Sequence, residues 1–203
     1  MGCGMFSIHG TEGRTKDVNA DMLNPLLDIN DLKVTFRKEE KLIKAVDGIS
    51  FTVGEGEIYG LVGESGSGKS VTALSIMRLL DKNARIEGNW IKLKDRNLLS
   101  LSEKEMRKVR GDTVSMIFQD PMTSLNPSIT VGKQIEESLM LHRGISKKEA
   151  RKGACEIMEK VTIPDPQSTG KKFPYEFSGG MRQRLMIAMA LSCNPLLLIA
   201  DEP

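Results

Sequence analysis

A glycine-rich octapeptide, GESGSGKS at residues 63–70, sets the narrowest limits on the fold of this chain. It fits the pattern G-x-x-x-x-G-K-[ST] and lies between an apolar run, EIYGLV, and a helical pattern over residues 69–80. Glycines allow a backbone to wrap closely around an anion and to aim successive N–H groups at it, and a helix N-terminus adds positive potential. The octapeptide therefore predicts a phosphate-binding loop between a strand and a helix.

Within this loop, Lys69 is expected to bridge the terminal phosphates of a nucleotide, and the Ser70 hydroxyl is expected to ligate Mg²⁺. Such a loop alone does not distinguish kinases, GTPases, helicases and transport ATPases. The chain contains no N-K-x-D sequence, which disfavours a GTPase. The predicted nucleotide-binding residues of the loop are Gly63, Glu64, Ser65, Gly66, Ser67, Gly68, Lys69 and Ser70.

A second pattern, LLLIADEP at residues 196–203, is an apolar run that ends in two acids. It predicts a buried strand that delivers two carboxylates to a site. Asp201 is placed to hold the water shell of Mg²⁺, and Glu202 is placed to polarise an attacking water. In isolation, an apolar strand ending in acidic turn residues is an equally good interpretation, and the phosphate loop makes the catalytic interpretation the better one.

A third pattern is FSGGMRQR at residues 177–184, where a serine and two glycines precede a helical segment over residues 181–191. A serine at the start of a helix caps it, and the free N–H groups of the first turn attract anions. One chain cannot easily use two such sites on one nucleotide. The second site is therefore expected to serve a nucleotide held by another chain.

The rest of the chain divides into three parts. Residues 1–25 are polar without a helical or strand period and are predicted to be a loose tail. The runs LLDINDLKVTF, AVDGISFTV and RIEGNWIKLK predict a β-rich layer, and a short apolar run over residues 114–118 predicts a buried strand before Gln119. Residues from about 121 to 192 lack strand signals and are predicted to be a helical insertion. Capping boxes are expected at Ser102 with Glu105 and at Ser146 with Glu149.

With these patterns in this order and spacing, residues 26–203 resemble the ABC ATPase family. The resemblance implies an α/β fold, a P-loop NTPase with a RecA-like core, an N-terminal antiparallel β layer and a helical subdomain. It implies ATP and Mg²⁺ as ligands, Ser70, Gln119 and Asp201 at the metal, and Glu202 and Gln119 in catalysis. It also implies a head-to-tail dimer in which Ser178, Gly179 and Gly180 contact the partner's ATP, and stacking of Phe36 on adenine. As a residue of a β-strand, Phe36 is equally well explained by core packing.

The sequences VGESGSGKS, IFQDPMTSLNP and YEFSGGMRQR resemble the subfamily that energises oligopeptide and dipeptide importers, with nickel and glutathione importers as relatives. This resemblance implies membrane permease subunits and a second ATPase subunit, identical or different, as partners. It implies a solute-binding protein as an indirect partner and a place at the cytoplasmic face of the cell membrane. A soluble ABC-type ATPase acting on nucleic acid and a non-hydrolysing regulatory partner are the alternatives.

Composition adds little to these alternatives. The formal charge of +2 with mixed signs along the chain gives no electrostatic case for nucleic acid. The three cysteines form no metal-binding spacing, and no run approaches the roughly 18 apolar residues of a membrane span. The family pattern also includes an aspartate-bearing loop, a further strand and a histidine after the acidic strand. None follows here, so we expect the 203-residue chain by itself to lack the C-terminal part of the core, to be poorly soluble and to have little ATPase activity.

Overall fold

The computed structural model describes residues 25–39, 41–120 and 124–202, so the predicted N-terminal tail lies outside the described residues except for its last position. The described chain begins with two long strands, β1 (Leu27–Lys38) and β2 (Lys41–Val53). They form an antiparallel pair whose register runs from Leu27 opposite Val53 to Lys38 opposite Lys41. Both strands were predicted from the sequence, the first from its alternating apolar residues, and both predictions are confirmed.

The predicted strand RIEGNWIKLK is two strands, β3 (Ala84–Glu87) and β4 (Trp90–Leu93), followed by the short β5 (Arg96–Asn97). β3 pairs with the second half of β1 and β4 with the first half, so the chain must step along β1 between them. Gly88 makes this step at a positive φ, where a Cβ atom would lie 3.0 Å from the Asp31 carbonyl oxygen. The sheet order is β2-β1-β4-β5, with β3 also on β1.

One face of this sheet packs against two helices, α1 (Lys69–Met77) and α2 (Glu103–Val109). Ile29, Leu32 and Ile91 are fully buried in this core. Helix α1 was predicted to continue to residue 80, but it ends at Met77 because Arg78 adopts a left-handed conformation with φ 51°. The capping box predicted at the start of α2 is present.

Arg110, just after α2, fixes α1 relative to α2. Its Nε donates to the Met77 carbonyl at 2.7 Å and its Nη2 donates to the Arg78 carbonyl at 2.9 Å. A cation at the last carbonyls of a helix interacts favourably with the helix dipole. The same guanidinium, through its hydrogen bond to Glu103, holds the pKa of that carboxyl below its usual value. These bonds position the C-terminal end of the helix that follows the phosphate loop.

A second, parallel pair consists of β6 (Val114–Ile117) and β7 (Leu197–Ala200). Its register places Val114 opposite Leu197 and Ile117 opposite Ala200. Every residue of β6 is buried, as predicted from its apolar run. Parallel neighbours end at the same edge, so the residues after both strands meet there.

The predicted strand EIYGLV is wrong for this structure: residues 57–64 form no strand. Ile58 is fully exposed and Val62 is 87% exposed. An extended segment becomes a strand only when its N–H and C=O groups pair with a neighbour. Within the described residues, β6 and β7 pair only with each other, and none of the described strands pairs with this segment.

Between β6 and β7 the described chain is helical: α3 (Val131–Arg143), α4 (Lys147–Lys160), α5 (Pro166–Thr169) and α6 (Gly179–Leu191). Of these helices, α3, α4 and α6 share an apolar core that is separate from that of the sheet. The capping box predicted at the start of α4 is present. Ala150, Ala154 and Met158 form the buried face of this helix. None of the described helices is both long and apolar enough to cross a membrane.

Candidate nucleotide site

The phosphate loop is shaped by glycines in left-handed conformations. Gly66 has φ 78° and Gly68 has φ 96°. A Cβ atom at Gly68 would lie 2.5 Å from the Ala45 carbonyl oxygen of β2, so only glycine fits at this position. Ser67 N–H donates to the Glu64 carbonyl at 3.1 Å and closes the turn. The loop thus lies against the β hairpin and leads directly into α1.

Lys69 lies across the loop that precedes it. Its Nζ donates to the Gly63 carbonyl at 2.9 Å and to the Glu64 carbonyl at 3.0 Å. The ammonium is therefore held inside the curve of the loop, next to the N-terminal turn of α1. A cation and a helix N-terminus at one place form an anion-binding site.

Ser70 and Asp201 join the phosphate loop to the acidic strand. The Ser70 hydroxyl donates to Asp201 Oδ1 at 2.9 Å. Asp201 N–H donates to the Ile117 carbonyl at 3.0 Å, which continues the ladder between β6 and β7 by one residue. The sheet therefore places the carboxylate at the start of α1, beside the hydroxyl with which it is expected to hold Mg²⁺.

Gln119 and Glu202 join the two strands at the same edge. Gln119 Nε2 donates to Glu202 Oε2 at 2.5 Å, and Glu202 has a left-handed backbone with φ 50°. A left-handed backbone at a residue other than glycine costs roughly 1–3 kcal/mol of stability, and such residues cluster at functional sites. The Gln119 amide and the Glu202 carboxylate, both of which the family resemblance assigned to catalysis, therefore lie in direct contact.

The donor set suits Mg²⁺. A hydroxyl and a carboxylate are hard oxygen ligands, and Mg²⁺ is commonly held by one or two carboxylates together with phosphate oxygens. Within residues 25–39, 41–120 and 124–202 there is no cluster of three His, Cys, Asp or Glu side chains that could hold a metal without such phosphates. Ser70 and Asp201 fit a magnesium ion that arrives with a nucleotide.

Ser178 and the two glycines that begin α6 are not part of this group of residues. Ser178 Oγ accepts from Met181 N–H at 3.4 Å and caps the helix as predicted. Gly179 and Gly180 are exposed, with nothing within 4 Å of the Cβ position. No hydrogen bond joins these residues to the phosphate loop in the part of the chain that the structure describes. A role toward a nucleotide of another chain stays a prediction.

Phe36 pairs with Ile43 and Ala84 in the sheet and packs against the sheet core. It shares the hairpin with Ala45, whose carbonyl touches the loop at Gly68. Stacking on adenine stays a prediction. The contact at Ala45 was missed by sequence reasoning because a backbone carbonyl leaves no residue signal.

Comparison with known proteins identifies the family. A family model described as ABC transporter matches residues 46–203. The chain is 55% identical over 179 residues to a probable peptide ABC transporter ATP-binding protein, y4tR, of Sinorhizobium fredii, covering 88% of this chain and 53% of that protein. It is 52% identical over 180 residues to the oligopeptide transport ATP-binding protein OppD of Salmonella typhimurium, covering 89% of this chain and 53% of that protein. The chain thus spans about half the length of these relatives.

Solved structures give the same result. The ATP-binding cassette MJ0796 in a dimeric post-hydrolysis state, bound to ADP and Pi, superposes with a TM-score of 0.73 at 28% identity, covering 86% of this chain and 73% of that chain. A dimeric structure of the same cassette gives a TM-score of 0.72 at 29% identity and the same coverage of both chains. The predicted α/β P-loop NTPase fold is confirmed, and the chain belongs to the ABC transporter family.

Proposed function

We propose that this chain is the ATP-binding and hydrolysing part of a subunit that energises peptide import through membrane permeases. The observation that carries the proposal is a pair of hydrogen bonds, Ser70 to Asp201 at 2.9 Å and Gln119 to Glu202 at 2.5 Å. They bring the phosphate loop, the end of β6 and the end of β7 to one place. Separate motifs become a single site suited to phosphoryl transfer to water.

Each residue of the site has a task in such a reaction. Lys69 and the loop N–H groups hold the phosphates, which fixes the position of the reacting phosphorus. Ser70 and Asp201 would hold Mg²⁺, and the bound ion would neutralise charge on the phosphate oxygens. Glu202 accepts a hydrogen bond from the attacking water and then its proton. Gln119, which already donates to Glu202, orients that carboxylate.

A second ATPase subunit, identical or different, would complete the site. The capped N-terminus of α6 at Ser178 is exposed, and it makes no hydrogen bond to its own phosphate loop within the described residues. A head-to-tail dimer would place it on the nucleotide of the partner. Both solved cassette structures are dimeric, which supports this arrangement.

Membrane permeases would be the direct partners at the cytoplasmic face of the membrane, with a solute-binding protein acting through them. The helices between β6 and β7 are the expected docking region because they follow Gln119 directly along the chain. The similar proteins are named for peptide and oligopeptide transport, which favours peptides over nickel or glutathione as the imported solute.

Reconstitution tests this proposal. The full-length protein, its permeases and its solute-binding protein are placed in liposomes with ATP on the side of the ATPase subunit. Uptake of a labelled oligopeptide, nickel and glutathione is then measured. We expect ATP-dependent peptide uptake that Glu202→Gln abolishes. Uptake of nickel alone, or peptide uptake that does not need ATP, would exclude the proposed function.

A further inference from the structure

Arg110 lies between α2 and β6, and its side chain makes bonds in three directions. Its Nε donates to the Met77 carbonyl at 2.7 Å, and its Nη2 donates to the Arg78 carbonyl at 2.9 Å. Its Nη1 donates to Glu103 Oε1 at 2.6 Å. The side chain is only 17% exposed. Because the guanidinium is a rigid planar fork, these bonds fix the position of the groups that it joins.

The two carbonyls that Arg110 binds lie at the C-terminal end of α1. Carbonyls in the last turn of an α-helix have no partner within the helix. The turn that follows α1 satisfies the carbonyls of Leu74 and Ser75 with backbone N–H groups. Arg110 takes those of Met77 and Arg78 instead. The guanidinium therefore holds this end of the helix.

The segment that follows Arg110 begins both parallel strands. The Thr113 carbonyl accepts hydrogen bonds from Leu196 N–H at 2.9 Å and from Leu197 N–H at 3.1 Å. β6 begins at the next residue, Val114. Arg110 thus joins the end of α1 to the start of β6 and β7, and not to a free loop.

The helix and the strands run side by side in opposite directions. At the start of α1, Ser70 donates to Asp201, just after β7, at 2.9 Å. At the other end, α1 is held by Arg110, just before β6. Ile76 of α1 packs in the same buried core as Val114 of β6. The nine residues of α1 and the four of β6 each span about 13 Å, so the helix is tied to the strands at both ends.

These two ties differ in kind. The contact of Ser70 with Asp201 is a single hydrogen bond between groups that are themselves expected to hold Mg²⁺. The bonds of Arg110 lie at the far end of α1 and involve no group that is expected to touch the nucleotide or the metal. Arg110 therefore sets where α1 lies along the strands, and with it the distance from Lys69 to Glu202.

We propose that Arg110 is a positioning residue for ATP hydrolysis, which acts through α1 to place the phosphate loop against Glu202 and Gln119. The inference rests on the proposed function for the reaction. The loop, Lys69 and the first turn of α1 would move together, so a shift of α1 would keep the contacts that bind phosphate. It would change the distance from the reacting phosphorus to the attacking water. A misplacement of about 1 Å can lower a rate about 100-fold.

Arg110→Ala in the full-length protein tests the inference. Steady-state hydrolysis gives kcat and KM for ATP, and isothermal titration gives the ATP affinity. We expect kcat to fall at least about tenfold, while KM and the ATP affinity change less than about twofold. Arg110→Lys keeps the charge but replaces the planar fork by a point charge. Its kcat should lie between those of Arg110→Ala and the unaltered protein.

Two controls separate positioning from stability. Ser102→Ala removes the capping box of α2 and should lower the urea midpoint while kcat stays unchanged. Glu103→Gln breaks the ion pair but leaves the bonds from Arg110 to the carbonyls of α1. It should therefore change kcat less than about twofold.

Chemical rescue gives a readout that a general loss of stability would not produce. Arg110→Ala leaves a mostly enclosed space of the shape of a guanidinium, and free guanidinium ion can occupy it. Guanidinium chloride, at concentrations far below those that unfold the protein, should raise the kcat of Arg110→Ala. The same concentration of sodium chloride should not. An equal effect of the two salts would overturn the inference.

The outcomes separate the two proposals. If the unaltered full-length protein does not hydrolyse ATP, the proposed function fails and takes the inference with it. If it hydrolyses ATP and Arg110→Ala keeps its kcat, only the inference is overturned. The inference also fails if Arg110→Ala loses ATP affinity in step with kcat, or if Ser102→Ala loses as much kcat at an equal loss of stability.

Arg110→Lys decides the question if Arg110→Ala does not fold. A kcat lowered by at least about threefold with unchanged KM supports the inference, because an ammonium cannot hold both carbonyls in the geometry of the fork. An unchanged kcat of Arg110→Lys overturns it.

Discussion

At the scale of single residues, nucleotide binding is expected to depend most on Lys69. Two backbone carbonyls of its own loop, those of Gly63 and Glu64, hold its ammonium at 2.9 Å and 3.0 Å. A phosphate can take over these hydrogen bonds with an added charge interaction. Hydrogen bonds to charged groups contribute about 1.5–3 kcal/mol each.

Lys69→Ala is therefore expected to weaken ATP binding roughly 10- to 150-fold, which corresponds to one such hydrogen bond. Isothermal titration of the full-length protein with ATP measures it. Lys171→Ala, which removes a cation outside the site, is the matched control and should leave the affinity unchanged. If Lys69→Ala binds ATP with unchanged affinity, the assignment of residues 63–70 as the phosphate loop is wrong.

The residues of the site were largely predictable because each chemical role falls on a short motif. Ser70, Asp201, Gln119 and Glu202 were all named as site residues from the sequence, and the structure joins them by hydrogen bonds in two pairs, Ser70 with Asp201 and Gln119 with Glu202. What could not be predicted is the direct bond between Gln119 and Glu202. It depends on the left-handed backbone of Glu202 and on the register of β6 with β7, and a motif contains neither.

At the scale of elements, the sequence predicts each strand and helix well where its partner is close along the chain. The hairpin of β1 with β2 and both capping boxes depend on local pairing, and all appear as expected. The EIYGLV run was predicted to be a strand because of its apolar residues, but a strand also needs a hydrogen-bonding neighbour. Apolar content alone does not tell whether the described chain supplies one.

The loop glycine at position 68 allows a test of backbone strain. Gly68→Ala should lower the free energy of unfolding by roughly 1–3 kcal/mol, because φ 96° is strained for alanine and its Cβ meets the Ala45 carbonyl. Gly144→Ala is the matched control: its φ is also positive, at 63°, but nothing lies within 4 Å of the Cβ position. Urea unfolding should show the larger loss at Gly68, and equal losses would mean that the contact with β2 is unimportant.

The capping box at the start of α4 should depend on pH. The Ser146 hydroxyl and backbone N–H hold the pKa of Glu149 below its usual value of 4.5, since they stabilise the ionised carboxylate. A lowered folded-state pKa gives stability that is present above about pH 4.5 and is lost as the pH falls through the folded value. Ser146→Ala should therefore destabilise the protein more at neutral pH than at acidic pH.

Thermal unfolding of the Ser146→Ala variant and the unaltered protein at several pH values measures this difference. Lys148→Ala, which removes a side chain of the same first turn that takes no part in the box, is the control. A loss of stability that is the same at every pH would show that the charge of Glu149 has no part in the cap.

At the scale of the whole molecule, the described chain has a sheet core and a separate helical core. The phosphate loop leads into α1, which packs in the sheet core, and α6, whose N-terminus is exposed, packs in the helical core. In a head-to-tail dimer each nucleotide would therefore depend on the sheet core of one subunit and the helical core of the other.

This dependence predicts complementation between two inactive proteins. Ser178→Arg should retain ATP affinity and lose turnover, and Lys69→Ala should bind ATP more weakly and lose turnover. A mixed dimer contains one site with an intact Lys69 from one subunit and an intact Ser178 from the other. Mixing the two proteins should restore measurable turnover. If the mixture stays inactive while mixed dimers are detected by light scattering, the trans role of Ser178 is wrong.

The central claim is that Glu202 performs the chemistry of an ATP site formed by the phosphate loop and the ends of β6 and β7. Glu202→Gln in the full-length protein tests it most directly, with ATP affinity and steady-state hydrolysis measured on the same sample. A general base contributes about 10²- to 10⁴-fold to the rate. We predict unchanged ATP affinity, hydrolysis reduced by at least about 100-fold, and a dimer that stays closed on ATP. Hydrolysis at the rate of the unaltered protein would contradict the account.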